Sequence, residues 1–295
     1  MIKVSPEEFQ LWAGLIYEYT GIVLQPGKAY LIENRLSGLL QEYNCQNFKE
    51  MYFKARHAGN PTLKESIINN ISTQETSFFR DRHVYDALAD LIRNKISPAK
   101  RREAPAGRPP KLRIWSAACS HGQEPYSAAM ILAEVIPDID DWDLKLLATD
   151  ISDKAFRKAS LGRYTELEVQ RGLDQHHLGK YFVKRQDGLW QVSDRIRAMI
   201  SFQKVNLVTE DYRSLGTFDL IFCRNVAIYF DLPTKTRLFG NLERVLAPQG
   251  YLIVGSTENI SPFVADLRIF HHRNAIFYLK NGQARSPAVL KTGTN

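Results

Sequence analysis

The segment Arg113-Ile-Trp-Ser-Ala-Ala-Cys-Ser-His-Gly-Gln-Glu-Pro-Tyr126 decides the fold of this 295-residue chain. Its apolar start predicts a buried strand, its small polar residues a turn, and Glu124-Pro125 the start of a helix. Open α/β sheets bind nucleotide-like ligands at such a strand–turn–helix. The turn has one glycine, Gly122, where a pyrophosphate needs several, and Glu124 would repel phosphate. We therefore expect a nucleoside ligand without phosphates, and S-adenosylmethionine is the best candidate.

Three further apolar segments are predicted strands that end in polar residues. They are 144–150, ending in Asp150; 218–223, followed by Arg224-Asn225; and 251–255, followed by Ser256-Thr-Glu-Asn259. The carboxyl ends of parallel strands meet at one edge of a sheet, where ligands bind, and an acid at the position of Asp150 suits ribose hydroxyls. Alternatively, these polar residues are only loops and helix caps.

The pattern along the chain predicts an α/β protein with added parts. Residues 1–96 are expected to form a helical domain, which begins at a Ser5-Pro6-Glu7-Glu8 capping box. Residues 97–111 are expected to be a basic, proline-rich linker, 112–280 a doubly wound α/β domain, and 281–295 a flexible tail. An insertion at about 165–204 has short strand-like pieces around the Asp187-Gly188 turn signal and is expected to be a small antiparallel β-subdomain.

Charge and composition narrow the class of protein. The segment 95–113 holds seven basic residues and one acid, and so supplies +6 of the net charge of +7. Its prolines favour a solvated connector, which could touch an acidic partner or a membrane surface, over a nucleic-acid-binding element. The three cysteines are far apart, which predicts a reducing compartment with no disulfide framework or metal cluster. With no signal peptide or membrane-inserting run apparent, we expect a cytoplasmic protein.

The segment Thr73-Gln-Glu-Thr-Ser-Phe-Phe-Arg-Asp81 is unusual inside a helical region. Its paired aromatics and arginine allow two interpretations. Phe78 and Phe79 are packing residues beside a surface charge, or they hold the Arg80 guanidinium rigidly toward an anion. His121, in the turn after the first strand, is a candidate general base.

Taken together, these segments resemble the CheR family of chemotaxis receptor methyltransferases from about residue 5 to residue 280. Thr76-Ser-Phe-Phe-Arg80 resembles the family's Thr-x-Phe-Phe-Arg, and Ser120-His-Gly-Gln-Glu-Pro-Tyr-Ser127 resembles its Ser-x-Gly-x-Glu-Pro-Tyr-Ser turn. The other matches, in the family's order, are Ala148-Thr-Asp-Ile151, Val205-Asn-Leu207, Phe222-Cys-Arg-Asn-Val226 with Ile228-Tyr-Phe230, and Gly255-Ser-Thr-Glu-Asn259.

The resemblance implies a Rossmann-like methyltransferase fold, S-adenosylmethionine as the methyl donor and S-adenosylhomocysteine as the product. It implies glutamates on cytoplasmic helices of methyl-accepting receptors as acceptors. By motif position, Arg80 and Tyr229 are expected at the reacting end of the cofactor. The expected cofactor contacts are Gln74, Thr76, Arg80, Glu124, Asp150, Asn206, Leu207, Asn225 and Val226, although relatives often have Asn in place of Gln74.

The loop Val183-Lys-Arg-Gln-Asp-Gly188 departs from the family pattern. It is about three residues shorter than in relatives that bind a C-terminal pentapeptide of the receptor, so we do not expect that tether here. We expect a monomer that reaches receptors through its helical domain and the basic linker. Two other functions stay open: a non-catalytic cofactor-binding module that docks receptors, and a small-molecule methyltransferase.

Overall fold

The computed structural model describes residues 2–57 and 60–282 and begins with a bundle of four helices. They are Pro6–Thr20 (α1), Ala29–Glu42 (α2), Phe48–Arg56 (α3) and Pro61–Ile71 (α4). The predicted capping box is confirmed, because Ser5 Oγ accepts from Glu8 N and the Glu8 carboxylate accepts from Ser5 N. Gly21 ends α1 with a left-handed φ of 73°, a conformation that glycine adopts without a steric penalty.

A seven-stranded sheet forms the centre of the rest of the chain. Its strands are Lys111–Ala117 (β1), Asp143–Asp150 (β2), Ile200–Lys204 (β6), Phe218–Cys223 (β7), Leu246–Val254 (β8), Leu267–His272 (β9) and Ala275–Lys280 (β10). A separate small sheet holds Arg163–Tyr164 (β3), Phe182–Lys184 (β4) and Trp190–Val192 (β5). The order of the large sheet is β6-β2-β1-β7-β8-β10-β9. Neighbours from β6 to β8 run parallel, and β10 is antiparallel to both β8 and β9.

Further helices flank the two sheets. They are Arg82–Leu91 (α5), Ser97–Glu103 (α6), Gln123–Val135 (α7), Asp153–Leu161 (α8), Glu166–Gln170 (α9), Gln175–Tyr181 (α10), Asp194–Ala198 (α11) and Leu232–Val245 (α12). The predicted doubly wound sheet with an N-terminal helical domain and a small antiparallel sheet is confirmed. Ser116 of β1 lies opposite both Ala148 of β2 and Phe222 of β7, so the carboxyl ends of these strands are level at one edge.

The division between helical bundle and sheet differs from the predicted boundary at residue 96. The bundle core runs from Phe9 to Ile71, whereas Phe78 and the apolar face of α5 belong to the core of the sheet domain. The sequence of an amphipathic helix shows that one face is buried, but not which core covers it. The helical domain therefore ends before Phe78.

The predicted linker at 97–111 is wrong over its first half. A π-helical turn, Ile92–Ile96, continues α5 into α6, and Pro98 is the second residue of α6. Lys100 Nζ lies 2.7 Å from Asp219 Oδ1 and so joins α6 to the start of β7. Only residues 104–110 are irregular.

The inserted subdomain is also smaller than the predicted 165–204. Its sheet spans β3 to β5, whereas β6, which lies within the predicted range, pairs in parallel with β2 at the edge of the large sheet. A strand pattern does not specify which sheet the strand joins. The predicted tail lies outside the described residues from residue 283 onward. In the described ranges, every helix is too short or too polar to span a bilayer.

Candidate functional site

A cavity opens at the carboxyl ends of the parallel strands, between the sheet and the helical bundle. Its wall comes from six segments of the chain: the end of α1, the segment after α4, the turn after β1, the start of α7, the end of β2 and the loop after β7. The lining residues are Thr20, Ile22, Ser72, Thr73, Gln74, Glu75, Thr76, Ser77, Arg80, Ala118, Cys119, Ser120, Glu124, Asp150, Ile151, Arg224, Asn225, Val226, Tyr229 and Phe230. Its position, at the carboxyl ends of parallel strands, is where open α/β sheets bind ligands.

Backbone strain is concentrated around this cavity. Left-handed φ angles occur at Ala118 and Ser120 in the turn after β1, at Phe79 and Asp81 beside Arg80, and at Asn225 after β7. Residues other than glycine adopt this region at an energetic cost, and proteins keep such strain mainly at functional sites. The clustering therefore marks the cavity as the functional site.

Asp150, at the end of β2, is held by the turn that follows β1. Its Oδ2 accepts from Ser120 N at 2.8 Å, and its Oδ1 accepts from Ser152 N at 2.9 Å. Burial raises the pKa of this carboxyl, although the two backbone N–H bonds and the Gln74 side chain oppose that shift. A cation or a hydroxyl donor in the cavity would favour the ionised form and use the remaining lone pairs.

Glu124 and Arg224 form a second charged group in the wall. Glu124 Oε1 accepts from Ser116 Oγ at 2.7 Å, and Arg224 Nη1 lies 3.7 Å from Glu124 Oε2. Burial raises the pKa of Glu124, and the charge of Arg224 acts in the opposite direction. The Arg224 guanidinium, with only 6% of the residue exposed, also donates to Asp81 Oδ2 at 2.6 Å and to Arg80 O at 3.0 Å.

The segment that carries Arg80 is rigidly packed. Phe78 is fully buried against Tyr164 and Phe182, and Phe79 N donates to Ser127 Oγ at 2.9 Å. The two interpretations of this segment are therefore not exclusive, since the aromatics are core residues while Arg80 lines the cavity. The Arg80 guanidinium donates to Glu75 O over a long distance of 3.4 Å.

The loop after β7 brings Asn225, Val226 and Tyr229 into the cavity wall. A 3₁₀ turn, Ala227–Tyr229, places Tyr229, and Val23 N donates to Tyr229 O at 3.0 Å. This bond ties the loop to the segment just after α1. The helical bundle therefore supports the wall as well as contributing Thr20 and Ile22 to it.

The structure brings together all the predicted site residues except Asn206 and Leu207. These two do not line the cavity: Asn206 Nδ2 donates to Tyr19 O at 3.0 Å, and Asn206 Oδ1 accepts from Val208 N. The Asn206 side chain is thus used between the bundle and the loop after β6. His121 also lies outside the wall.

Several wall residues were missed by the sequence reasoning. Ser120 supplies the N–H that holds Asp150, and the quoted Ser-x-Gly-x-Glu-Pro-Tyr-Ser motif could have found it. Thr20 and Ile22 lie about a hundred residues before the strand–turn–helix, and no local signal connects them to it.

The donor set of the cavity fits S-adenosylmethionine. The sulfonium and amino groups of this cofactor are cationic, and its ribose hydroxyls donate hydrogen bonds. The cavity wall offers the carboxylates of Asp150 and Glu124 to these groups. Among the described residues, Gln74 Oε1 is a buried wall acceptor with no hydrogen-bond partner, and buried polar atoms of this kind are usually satisfied. A ligand that donates hydrogen bonds explains why this oxygen is left unpaired.

Comparisons with known proteins agree with this chemistry. A family model described as "CheR methyltransferase, all-alpha domain" matches residues 7–72, and one described as "CheR methyltransferase, SAM binding domain" matches residues 74–276. Chemotaxis protein methyltransferase Cher2 of Pseudomonas putida is 34% identical over 86% of this chain and 90% of its own length. The chemotaxis protein methyltransferase of Borreliella burgdorferi is 37% identical over 88% of this chain and 90% of its own. Chemotaxis protein methyltransferase 1 of Vibrio cholerae is 31% identical over 94% and 98%. Motifs, fold, cavity and relatives agree, and this chain belongs to the CheR family of S-adenosylmethionine-dependent methyltransferases.

Proposed function

We propose that this protein transfers the methyl group of S-adenosylmethionine to glutamate side chains on cytoplasmic helices of methyl-accepting receptors. One observation carries the proposal: the cavity that holds the acidic residues Asp150 and Glu124 also holds Arg80 and Tyr229. A cationic donor and an anionic acceptor thus find complementary side chains in one wall. The names of the relatives point to chemotaxis proteins as acceptors.

The chemistry asks little of the protein beyond alignment. The bound cofactor supplies an electrophilic methyl group on a sulfonium. The acceptor carboxylate has an ordinary pKa of about 4.3 and is ionised at neutral pH, so no general base is required. Opposite charges are neutralised as the methyl moves, so strong stabilisation of the carboxylate would slow the reaction. The residues of the chain act by orienting the acceptor oxygen and excluding water.

Roles for individual residues follow from their place in the wall. We assign Asp150 to the ribose hydroxyls and Glu124 to the cationic end of the cofactor, with Gln74, Thr76, Asn225 and Val226 as further cofactor contacts. Arg80 and Tyr229 orient the acceptor carboxylate. His121 has no role in this scheme, because it lies outside the wall and the reaction needs no base.

A labelled-methyl assay against a panel of receptor cytoplasmic fragments tests the proposed function. We expect base-labile label on receptor glutamates, because methyl esters hydrolyse in base. Cofactor binding without transfer to any fragment would favour the non-catalytic module. Transfer to small carboxylic acids but not to receptors would favour a small-molecule methyltransferase.

Replacing Arg80 with alanine is expected to lower kcat/KM for methyl transfer about 100-fold, the loss typical of a misplaced reactant, with little effect on stability. Arg82→Ala is the matched control. Arg82 lies over the Phe79 ring and pairs with Asp174, but it does not line the cavity. If Arg80→Ala loses helicity in step with activity, Arg80 is a packing residue and this assignment is wrong.

The basic segment is poorly placed to bind the acceptor helix. The segment 95–113 ends at the start of β1, and the seven residues of β1 rise about 3.3 Å each, so most of the segment lies roughly 20 Å from the cavity, at the other end of the strands. Several of its charges are also paired, Lys100 with Asp219, Arg101 with Asp138 and Arg113 with Asp143. We therefore revise the expected receptor surface to the helical bundle beside the cavity, and propose that the protein acts as a monomer in the cytoplasm.

Methylation is expected to be independent of a receptor C-terminal pentapeptide. The hairpin between β4 and β5 is tight: Arg185 N donates to Leu189 O at 2.8 Å, and Gly188 turns with a φ of 80°. So short a turn leaves little surface for the side-chain pockets that give strand addition its specificity. Calorimetric titration with receptor C-terminal pentapeptides should show no binding at micromolar concentrations. Receptors that lack those residues should be methylated at the normal rate; a large loss on deletion would contradict the prediction.

A further inference from the structure

A carboxylate outside the cavity wall ties the loop after β7 to the end of β8. Glu258 Oε2 accepts from Asn225 N at 2.8 Å and from Gly255 N at 2.7 Å. Glu258 N donates in turn to Gly255 O at 2.9 Å, which closes the turn after β8. One carboxylate oxygen thus joins two strand ends that are neighbours in the sheet.

The backbone that Glu258 holds is strained. Asn225 has a left-handed φ of 58°, a conformation that asparagine adopts more readily than most residues but still at some cost. Val226 follows directly, and the 3₁₀ turn Ala227–Tyr229 comes next. The direction in which this loop leaves β7 therefore decides where Val226 and Tyr229 meet the cavity.

The contact is closely packed and keeps an unsatisfied atom. A Cβ at Gly255 would lie 2.6 Å from Glu258 Oε2 and 2.8 Å from Asn225 Nδ2, so a larger residue there would displace the Glu258 carboxylate or the Asn225 amide. Among the described residues, Glu258 Oε1 is a buried atom without a hydrogen-bond partner. An unpaired buried carboxylate oxygen is unfavourable, and a role in function explains why such an arrangement is kept.

We propose that Glu258 is a positioning residue for methyl transfer. By accepting the amide hydrogens of Asn225 and Gly255, it holds the loop so that Asn225, Val226 and Tyr229 face the cofactor cavity. It acts as a hydrogen-bond acceptor rather than through its charge. This inference rests on the proposed function, which assigns those three residues to cofactor and acceptor.

Two variants remove the clamp, that is, the two hydrogen bonds from Asn225 N and Gly255 N to the Glu258 carboxylate, in different ways. Glu258→Ala deletes the acceptor, and Gly255→Ala displaces it by steric contact. In both, we expect the dissociation constant for S-adenosylmethionine to rise about tenfold to a hundredfold, as the strained loop relaxes. In the cofactor-free protein, hydrogen exchange of the peptide covering residues 223–230, measured by mass spectrometry, should become faster.

Two further variants separate positioning from general stability and from charge. Glu258→Gln keeps an acceptor oxygen but loses the charge. Its affinity for S-adenosylmethionine should stay within about threefold of the wild-type value, a change no larger than the usual variation in the contribution of one hydrogen bond. Glu243→Ala is the matched control, because Glu243 Oε1 also accepts two backbone amides, those of Ala265 and Asp266, but lies outside the cavity wall. It should reduce stability without changing cofactor affinity.

The outcomes distinguish this inference from the proposed function. If the wild-type protein binds S-adenosylmethionine and both Glu258→Ala and Gly255→Ala bind it with the same affinity, the inference is wrong but the proposed function is not affected. An equal loss of affinity in Glu243→Ala, or a loss in Glu258→Gln as large as in Glu258→Ala, would overturn it too. Wild-type protein that methylates no receptor would refute the proposed function, and unchanged exchange of residues 223–230 in the variants would still refute the clamp. If Glu258→Ala fails to fold, Gly255→Ala and Glu258→Gln decide.

Discussion

Replacing Asp150 with alanine is expected to weaken S-adenosylmethionine binding by about 1.5–3 kcal/mol, the usual contribution of a hydrogen bond to a charged group. The dissociation constant should therefore rise roughly tenfold to 150-fold. Asp150 is buried at the end of β2, and the amides of Ser120 and Ser152 fix its orientation toward the cavity. Isothermal titration calorimetry measures the change directly.

Asp143→Ala is the matched control for this prediction. Asp143 starts the same strand, but its side chain is partly exposed and pairs with Arg113 at the end of β2 away from the cavity. It should leave cofactor affinity unchanged. An unchanged dissociation constant in folded Asp150→Ala would show that the carboxylate does not contact the cofactor.

Replacing Arg224 with methionine is expected to lower the free energy of unfolding by about 3 kcal/mol. The change removes one partner of a buried charge network and leaves Asp81 and Glu124 without their cation, and breaking a buried pair from one side usually has an effect of this size. Urea denaturation followed by circular dichroism provides the measurement. Added cofactor should restore part of the loss, because its cationic end lies beside Glu124 in our assignment.

Arg101→Met makes the same substitution in an exposed setting. Arg101 also pairs with an aspartate, Asp138, and lies over an aromatic ring, that of Trp142, but the pair is exposed. Exposed ion pairs contribute about 0.2–1 kcal/mol, so this variant should change stability by much less. Equal losses of unfolding free energy in the two variants would mean that burial does not increase the contribution of Arg224 to stability.

Local signals in the sequence were sufficient for the elements that build the site. The capping box at Ser5 predicts the start of α1, because cap and first turn interact over three residues. The strand–turn–helix from Arg113 to Tyr126 predicts β1, its turn and α7, and its single glycine and acidic residue already disfavour a pyrophosphate ligand. Polar residues after apolar runs predict the ligand-binding edge, since parallel strands bring their carboxyl ends together.

Only the tertiary structure decided which pieces share a core or a wall. The sequence of α5 shows an apolar face, but packing places that face in the sheet domain; the sequence of β6 shows a strand, but pairing places it beside β2. Asn206 matches a family motif, yet its amide bonds to the bundle. The contacts of Arg224 with Asp81 and Glu124 join residues about a hundred or more positions apart. The partners in such long-range contacts depend on how whole helices and strands pack together. The hydrophobic periodicity and the capping residues of a single element do not encode that packing.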